Sequence, residues 1–211
     1  MGIVHHTATL SPTKQELVES WLPSRSWAAD RRITGKVAEY RFDDPAGEVG
    51  VETILWLTED GTILQTPLTY RAEPLPGAEL HLVGTTDHSV LGERWVYDGC
   101  GDPMWASTLV AAITTGGRQA QMFIEQDGQR IDVPPRMEVR GSGTDESAPE
   151  VTSVDEVSDQ GPVTTVRAGS LEIHLARVVG TPLGEGPHLS GTVGDTGETT
   201  VLAVLASSET R

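Results

Sequence analysis

The stretch that decides the fold is Val83–Ile113, VGTTDHSVLGERWVYDGCGDPMWASTLVAAI. Its first half reads as paired strands. "ELHLVGTT" and "ERWVYDG" form an antiparallel pair, with alternation placing Glu93, Trp95 and Tyr97 on one face and Arg94, Val96 and Asp98 on the other. Its second half reads as a helix. Asp102 takes the N-cap and Pro103 the first helical position, where the missing N–H costs nothing. Met104, Trp105, Leu109, Ala112 and Ile113 make the buried stripe, and Gly116-Gly117 ends it.

Further out, "SPTKQELVESWL" predicts another helix. Thr13 and Glu16 have capping-box spacing, Leu17, Val18, Trp21 and Leu22 share a stripe, and Pro23 stops it. "KVAEYRF" reads as a strand before the turn "DDPAGE". In "EVGVETILWL", Val49, Val51, Thr53, Leu55 and Leu57 alternate onto one face, leaving Glu52, Ile54 and Trp56 on the other. Asp60-Gly61 predicts a two-residue hairpin turn into "TILQTPLTY". Pro67 cannot donate to a ladder, so that strand is expected at a sheet edge or bulged there.

From Glu138 the composition changes. "EVRGSGTDESAPEVTSVDEVSDQGP" is rich in Ser, Gly, Pro and acids and reads as a linker or long loop over 138–162. Beyond it "VTTVRAG", "SLEIHLARV", "HLSGTV" and "TTVLAVLAS" are short strands between glycine turns. The expected class is α+β: an antiparallel sheet packed with two helices over 1–137, then a small β-rich appendage over 163–211.

Charge excludes several function classes. The 211 residues carry 31 acids against 15 Lys and Arg, a formal charge of −16, which repels phosphate backbones and anionic membrane surfaces. No nucleic-acid or membrane partner is expected. No apolar run reaches the length of a membrane span, and "MGIVHHTATL" lacks the features of a secretion signal. Cys100 is the single cysteine, so no internal disulfide forms, in keeping with a reducing, cytoplasmic setting. The avoidance of Lys and Asn in favour of Ala, Gly and Arg points to a GC-rich bacterial genome.

Catalytic motifs are missing. Neither HExxH nor CxxC occurs, His5 and His6 lie near a terminus, and His81 and His88 could meet only across a hairpin, so no metal centre is expected. There is no GxSxG, and Ser142 lies between glycines in the linker-like segment. Cys100 sits beside carboxylates that raise a thiol pKa. No GxxxxGK[ST] is present, and a chain without asparagine cannot supply the usual magnesium ligand of a kinase catalytic loop. Asp43-Asp44, Glu59-Asp60 and the pair Asp98 and Asp102 are close carboxylates, but each stands at a turn or helix start, where aspartate has a structural role. Neither a catalytic residue nor a cofactor is expected.

The segment Thr66–Ile113 carries the ordered pattern PL-YR…PL-GA followed by VG…HSVLG-RWVYDG--DP and an apolar helix. This closely resembles the N-terminal cap domain of actinobacterial maltokinases, and the similarity extends upstream through "FDDPAGEVGVE" and "SPTKQELVESWLP". The resemblance implies a curved, cystatin-like sheet with helices. In the family this cap is joined to a kinase body that makes maltose 1-phosphate from maltose and ATP for α-glucan synthesis. The chain as given ends too early for two kinase lobes. "VTSVDEVSDQGPVTTVRAGSLEIHLARVVG" looks faintly like the first strands of a kinase small lobe, with His174 where the phosphate-binding lysine is expected. A neutral imidazole cannot replace that ammonium. The resemblance therefore implies a cap with a degenerate appendage and not a kinase.

The cluster in the opening stretch keeps two readings. Trp95 and Tyr97 either belong to the core, with Arg94 paired to Asp98 or Asp87, or they join His88, Arg94 and Asp98 in a concave patch that stacks on a sugar or grips a partner. Trp56 is a further candidate on the same two readings. The expected function is a non-catalytic regulatory or protein-interaction module of α-glucan and trehalose metabolism, docking to an enzyme or self-associating. A carbohydrate-binding module using the concave face is the alternative.

Overall fold

The computed structural model describes residues 9–126, 129–193 and 198–207. His5 and His6 lie outside them. The order of elements is β1 (Leu10–Ser11), α1 (Lys14–Trp21), β2 (Ile33–Asp43), β3 (Gly50–Thr58), β4 (Ile63–Arg71), β5 (Leu82–His88), β6 (Gly92–Asp98), α2 (Pro103–Thr115), β7 (Met122–Gln126), β8 (Gln129–Val133), β9 (Met137–Gly141), β10 (Glu156–Gln160), β11 (Val163–Ala168), β12 (Leu171–Ala176), β13 (His188–Val193) and β14 (Thr199–Ser207). They form two six-stranded antiparallel sheets, β1-β5-β6-β4-β3-β2 and β10-β11-β12-β14-β13-β9, with β7-β8 as a separate hairpin. Register shifts in β2 and β5 bend the first sheet.

Local chemistry accounts for both helices. Thr13 and Glu16 close the capping box of α1, whose Leu17, Val18 and Trp21 are buried. A short 3₁₀ turn carries the chain through Pro23. Asp102 caps α2 by accepting from Met104 N at 2.9 Å, Pro103 follows, and Gly116 ends the helix in the left-handed conformation. The β3–β4 turn departs from expectation. Thr58 N donates to Thr62 O at 3.0 Å, so three residues form the loop and only Gly61, with φ of 81°, is left-handed.

The first sheet is covered on both faces. Leu17, Val18, Trp21, Leu22 and Trp27 pack with Ile54, Trp56, Leu64, Leu68 and Val96 on one side. On the other, Tyr40, Phe42, Val51 and Leu55 share a core with α2 and with Met137, Val139, Val166, Ile173, Leu175, Leu189 and Leu202. Alternation on β3 therefore separates two interiors rather than inside from outside.

Pro67 illustrates how a central strand admits proline. β4 lies between β3 and β6, not at an edge. Its ladder to β6 begins only at Leu68, and Gln65 N already points away from β3, donating to Arg177 O at 2.8 Å. Two residues on, the nitrogen of Pro67 faces the same way, just past the end of β6 pairing.

The segment 138–162, expected as a linker or loop, contributes most of β9 and all of β10 to the second sheet. The 137/138 boundary falls inside β9. Gly141 and Gly143 do not loosen this segment. Gly143 N donates to Ile113 O at 2.8 Å and Asp145 N to Thr114 O at 3.0 Å, so the backbone itself caps the last carbonyls of α2. A Cβ at Gly141 or Gly143 would collide with Ala112 O or Thr114 O. Ser142 Oγ accepts from His188 N at 2.8 Å, which gives it a structural role in this segment.

Gln65 joins the two sheets. It is fully buried and donates from Nε2 to Ala176 O (3.0 Å) and Leu202 O (3.1 Å), while Oε1 accepts from Tyr40 Oη (3.3 Å).

Candidate functional site: the β5–β6 hairpin

The hairpin divides into a buried inner half and an exposed outer half. The inner half runs from Val96 through Asp102. Tyr97 is buried, and its hydroxyl oxygen accepts from Leu75 N at 2.9 Å. Asp98 is buried too. Its Oδ2 accepts from Arg177 Nη2 at 2.5 Å and its Oδ1 from Cys100 N at 3.3 Å. Arg177 also donates from Nε to Thr164 Oγ1 at 2.7 Å and lies 4.7 Å above the Trp27 ring. Burial pulls the Arg177 pKa down, but the Asp98 charge overrides it and holds the guanidinium above its usual value. Burial pushes the Cys100 thiol well above its usual pKa, which disfavours the thiolate.

Asp102 is inaccessible and doubly engaged. Besides capping α2, it receives Arg71 Nε and Nη2, each at 2.7 Å, and the Thr69 hydroxyl at 2.6 Å. The Asp102 hydrogen bond holds the Arg71 pKa above its usual value, against the effect of burial. Among the other adjacent carboxylates, Asp44 and Asp60 have the turn roles read from the sequence. Asp44 accepts from the backbone of Ala46, Glu48 and Val49; burial pushes its carboxyl up, yet these donors hold it below the ordinary range. Asp60 is held low by the Thr58 hydroxyl and the Thr62 N–H.

The outer half is built differently. His88 Nδ1 accepts from Val90 N and Leu91 N, both at 3.2 Å, and Arg94 Nη2 donates to Leu91 O at 2.7 Å. These bonds fix a turn whose apolar side chains are in water: Val90 is 55% and Leu91 49% exposed. Trp95 is half-buried on the face opposite Arg94 and Val96, as alternation requires. Arg94 does not pair with Asp98 or Asp87; it donates to the Leu91 carbonyl instead.

Trp56 lies elsewhere. It is buried under α1 with Nε1 donating to Thr66 Oγ1 at 2.8 Å, so the six candidate residues do not form one patch. His88, Arg94 and Trp95 gather on the outer hairpin, Tyr97 and Asp98 support the interior, and Trp56 is core. Sequence reading missed Arg177 because its partner is 79 positions away and nothing local marks it.

His81 and His88 do not converge. His81 and His88 stand at opposite ends of β5, roughly 20 Å apart at strand rise. Among the described residues no group of three or more His, Cys, Asp or Glu side chains could hold a metal ion. His174 sits on β12 with Nε2 2.6 Å from Glu172 Oε1. A cavity of about 500 Å³ lies beside the end of α1, lined by residues including Leu22, Pro23, Arg31, Ile33 and Glu59 and by no aromatic side chain. No described helix is long and apolar enough to cross a membrane.

No curated protein matches the chain. The family model of the maltokinase N-terminal cap domain matches residues 21–102, from the last residue of α1 to the cap of α2. The match takes in β2 to β6 and none of the second sheet. Over the segment from Trp21 to Asp102 the chain is therefore similar to the maltokinase N-terminal cap domain family.

Proposed function

We propose that this protein is a non-catalytic interaction module of maltose 1-phosphate and α-glucan metabolism, acting in the cytoplasm by docking to an enzyme of that chemistry. The curled first sheet with α1 across one face is read as a cystatin-like cap. The observation that carries the proposal is the division of the hairpin. Tyr97, Asp98 and Asp102 are engaged in internal bonds, while Val90 and Leu91 are presented to solvent on a turn fixed by His88 and Arg94. An exposed apolar turn held in shape by side-chain hydrogen bonds suits a partner better than a reaction.

The sugar-binding alternative rested on open aromatic platforms. Trp21, Trp27, Trp56 and Trp105 are buried, leaving Trp95 as the one half-exposed tryptophan. Interaction with protein is therefore the reading supported best.

The test is cross-linking capture on the purified chain from a maltokinase-bearing actinobacterium, followed by reconstitution with the purified enzyme so identified. A direct complex with a maltose, trehalose or α-glucan enzyme is expected. Capture that never enriches such an enzyme overturns the reading, as does ATP consumption by the pure chain with maltose.

A further inference from the structure

Folding does not account for the carboxylates on the outer hairpin. Asp87 and Glu93 are direct partners across β5–β6, where side chains stand about 5 Å apart and like charges repel. Both are exposed, and among the described residues neither makes an ion pair. Arg71, the nearest cation along the same face, is held by Asp102. Two pairs further along, and so on the same face, Trp95 lies opposite Thr85 across β5–β6, which places the indole about 7 Å from the two acids. At the other end lies the Val90–Leu91 tip.

Two carboxylates, a half-open indole and an adjoining apolar pair suit a guanidinium on an apolar segment. The planar fork bonds to carboxylate oxygens and stacks on an aromatic face, while its neighbours cover the tip. The chain's charge of −16 disfavours nucleic acid and anionic membranes at this surface. It also disfavours a second copy, which would bring one acidic hairpin against another.

We propose that Asp87, Glu93 and Trp95, with the Val90–Leu91 tip, dock an arginine-bearing, partly apolar segment of a protein partner. This rests on the interaction-module reading and names the face and the chemistry that it uses. The unrelieved repulsion of Asp87 and Glu93 in the free chain is the counterpart of a cation supplied from outside.

The experiment titrates the full-length ¹⁵N-labelled chain at low ionic strength with the peptide acetyl-Leu-Arg-Leu-Arg-Leu-amide. The same peptide with citrulline in place of arginine is the control. Expected are amide shifts confined to Thr85–Trp95 and the Trp95 indole N–H, with affinity falling about tenfold or more for citrulline and for the D87N/E93Q double variant. That variant removes a repulsion, so its thermal midpoint should be no lower than that of the parent. Absence of shifts, shifts centred elsewhere, or equal binding by the variant overturns the proposal. So does self-association by sedimentation that D87N/E93Q strengthens, which would assign the face to a second copy. Capture from the actinobacterium uses the unmodified chain and assumes nothing about this face, so the failure of either reading is seen separately.

Discussion

Arg177 and Asp98 meet at 2.5 Å with both side chains inaccessible, the guanidinium following β12 of the second sheet and the carboxylate closing β6 of the first. One ion pair thus bolts the family-matched strands to a region outside the match. Removing one member leaves the other buried and uncompensated, which typically costs about 3–5 kcal/mol. Arg177→Met and Asp98→Asn should each lower the urea midpoint at pH 7 by a corresponding amount. The double variant R177M/D98L should recover part of the loss. A midpoint for R177M equal to that of the parent would show that the pair contributes nothing.

Asp102 unites a helix cap and an ion pair in one carboxylate. Asp102→Ala removes both and strands Arg71, so it should destabilise by about 3 kcal/mol or more. Asp102→Asn keeps a capping oxygen and should fall between D102A and the parent. Calorimetric melting of the three proteins tests the order, and identical losses for Asn and Ala would deny the cap any share.

Glu52 sets an acid limit. Burial pushes its carboxyl up, but the Lys14 and Arg41 charges and the Lys14 and Tyr70 hydrogen bonds hold it below the ordinary value. A pKa lower in the folded than in the unfolded chain means that the ionised group favours folding. That contribution is present above the unfolded value of about 4.3 and is lost as pH falls through the folded pKa. In Lys14→Met the largest opposing charge is gone and burial dominates, so loss of stability should begin at higher pH. Urea midpoints between pH 7 and pH 3 check this, and superimposable profiles for K14M and the parent would refute it.

The helices were legible because their signals are local. Thr13 with Glu16, and Asp102-Pro103 with Gly116, are start and stop signs within a turn of the residues that they govern. The β5–β6 pairing was readable for the same reason. What could not be read depended on distant surfaces. Trp56 kept two readings, core or open, because nothing in β3 reveals that Trp21 and Trp27 cover that face. The glycines of "RGSG" suggested slack, whereas they permit the backbone to approach the end of α2. The β7–β8 hairpin was overlooked although Asp127-Gly128, a common turn dipeptide, separates its two runs.

Gly143→Ala should therefore act as a core lesion and not as a neutral linker change. The added methyl meets Thr114 O, and overpacking against backbone commonly costs about 1–3 kcal/mol. Gly161→Ala meets no atom but sits at φ of 57°, so its smaller cost is conformational. Thermal melts of both variants separate the mechanisms, and a G143A melt like that of the parent would sink the close-approach account.

Trp95 provides an optical test of the outer face. It is the one tryptophan not buried, so Trp95→Phe should remove most of the fluorescence that acrylamide quenches. With Asp87 and Glu93 beside it, caesium should quench the parent more efficiently than iodide. The D87N/E93Q variant should narrow that difference. Equal quenching of W95F and the parent would place the accessible indole elsewhere.

Gln65 carries a consequence for dissecting the fold. Its side-chain amide serves carbonyls of Ala176 and Leu202, so the strands of the first sheet complete their bonding only with the sheet that follows them. Grafted alone into another protein, they would bring an orphaned amide and a bare apolar flank. A cut at Asp102 would part the two sheets, so the strands before it and the sheet after it are expected to melt as one cooperative unit.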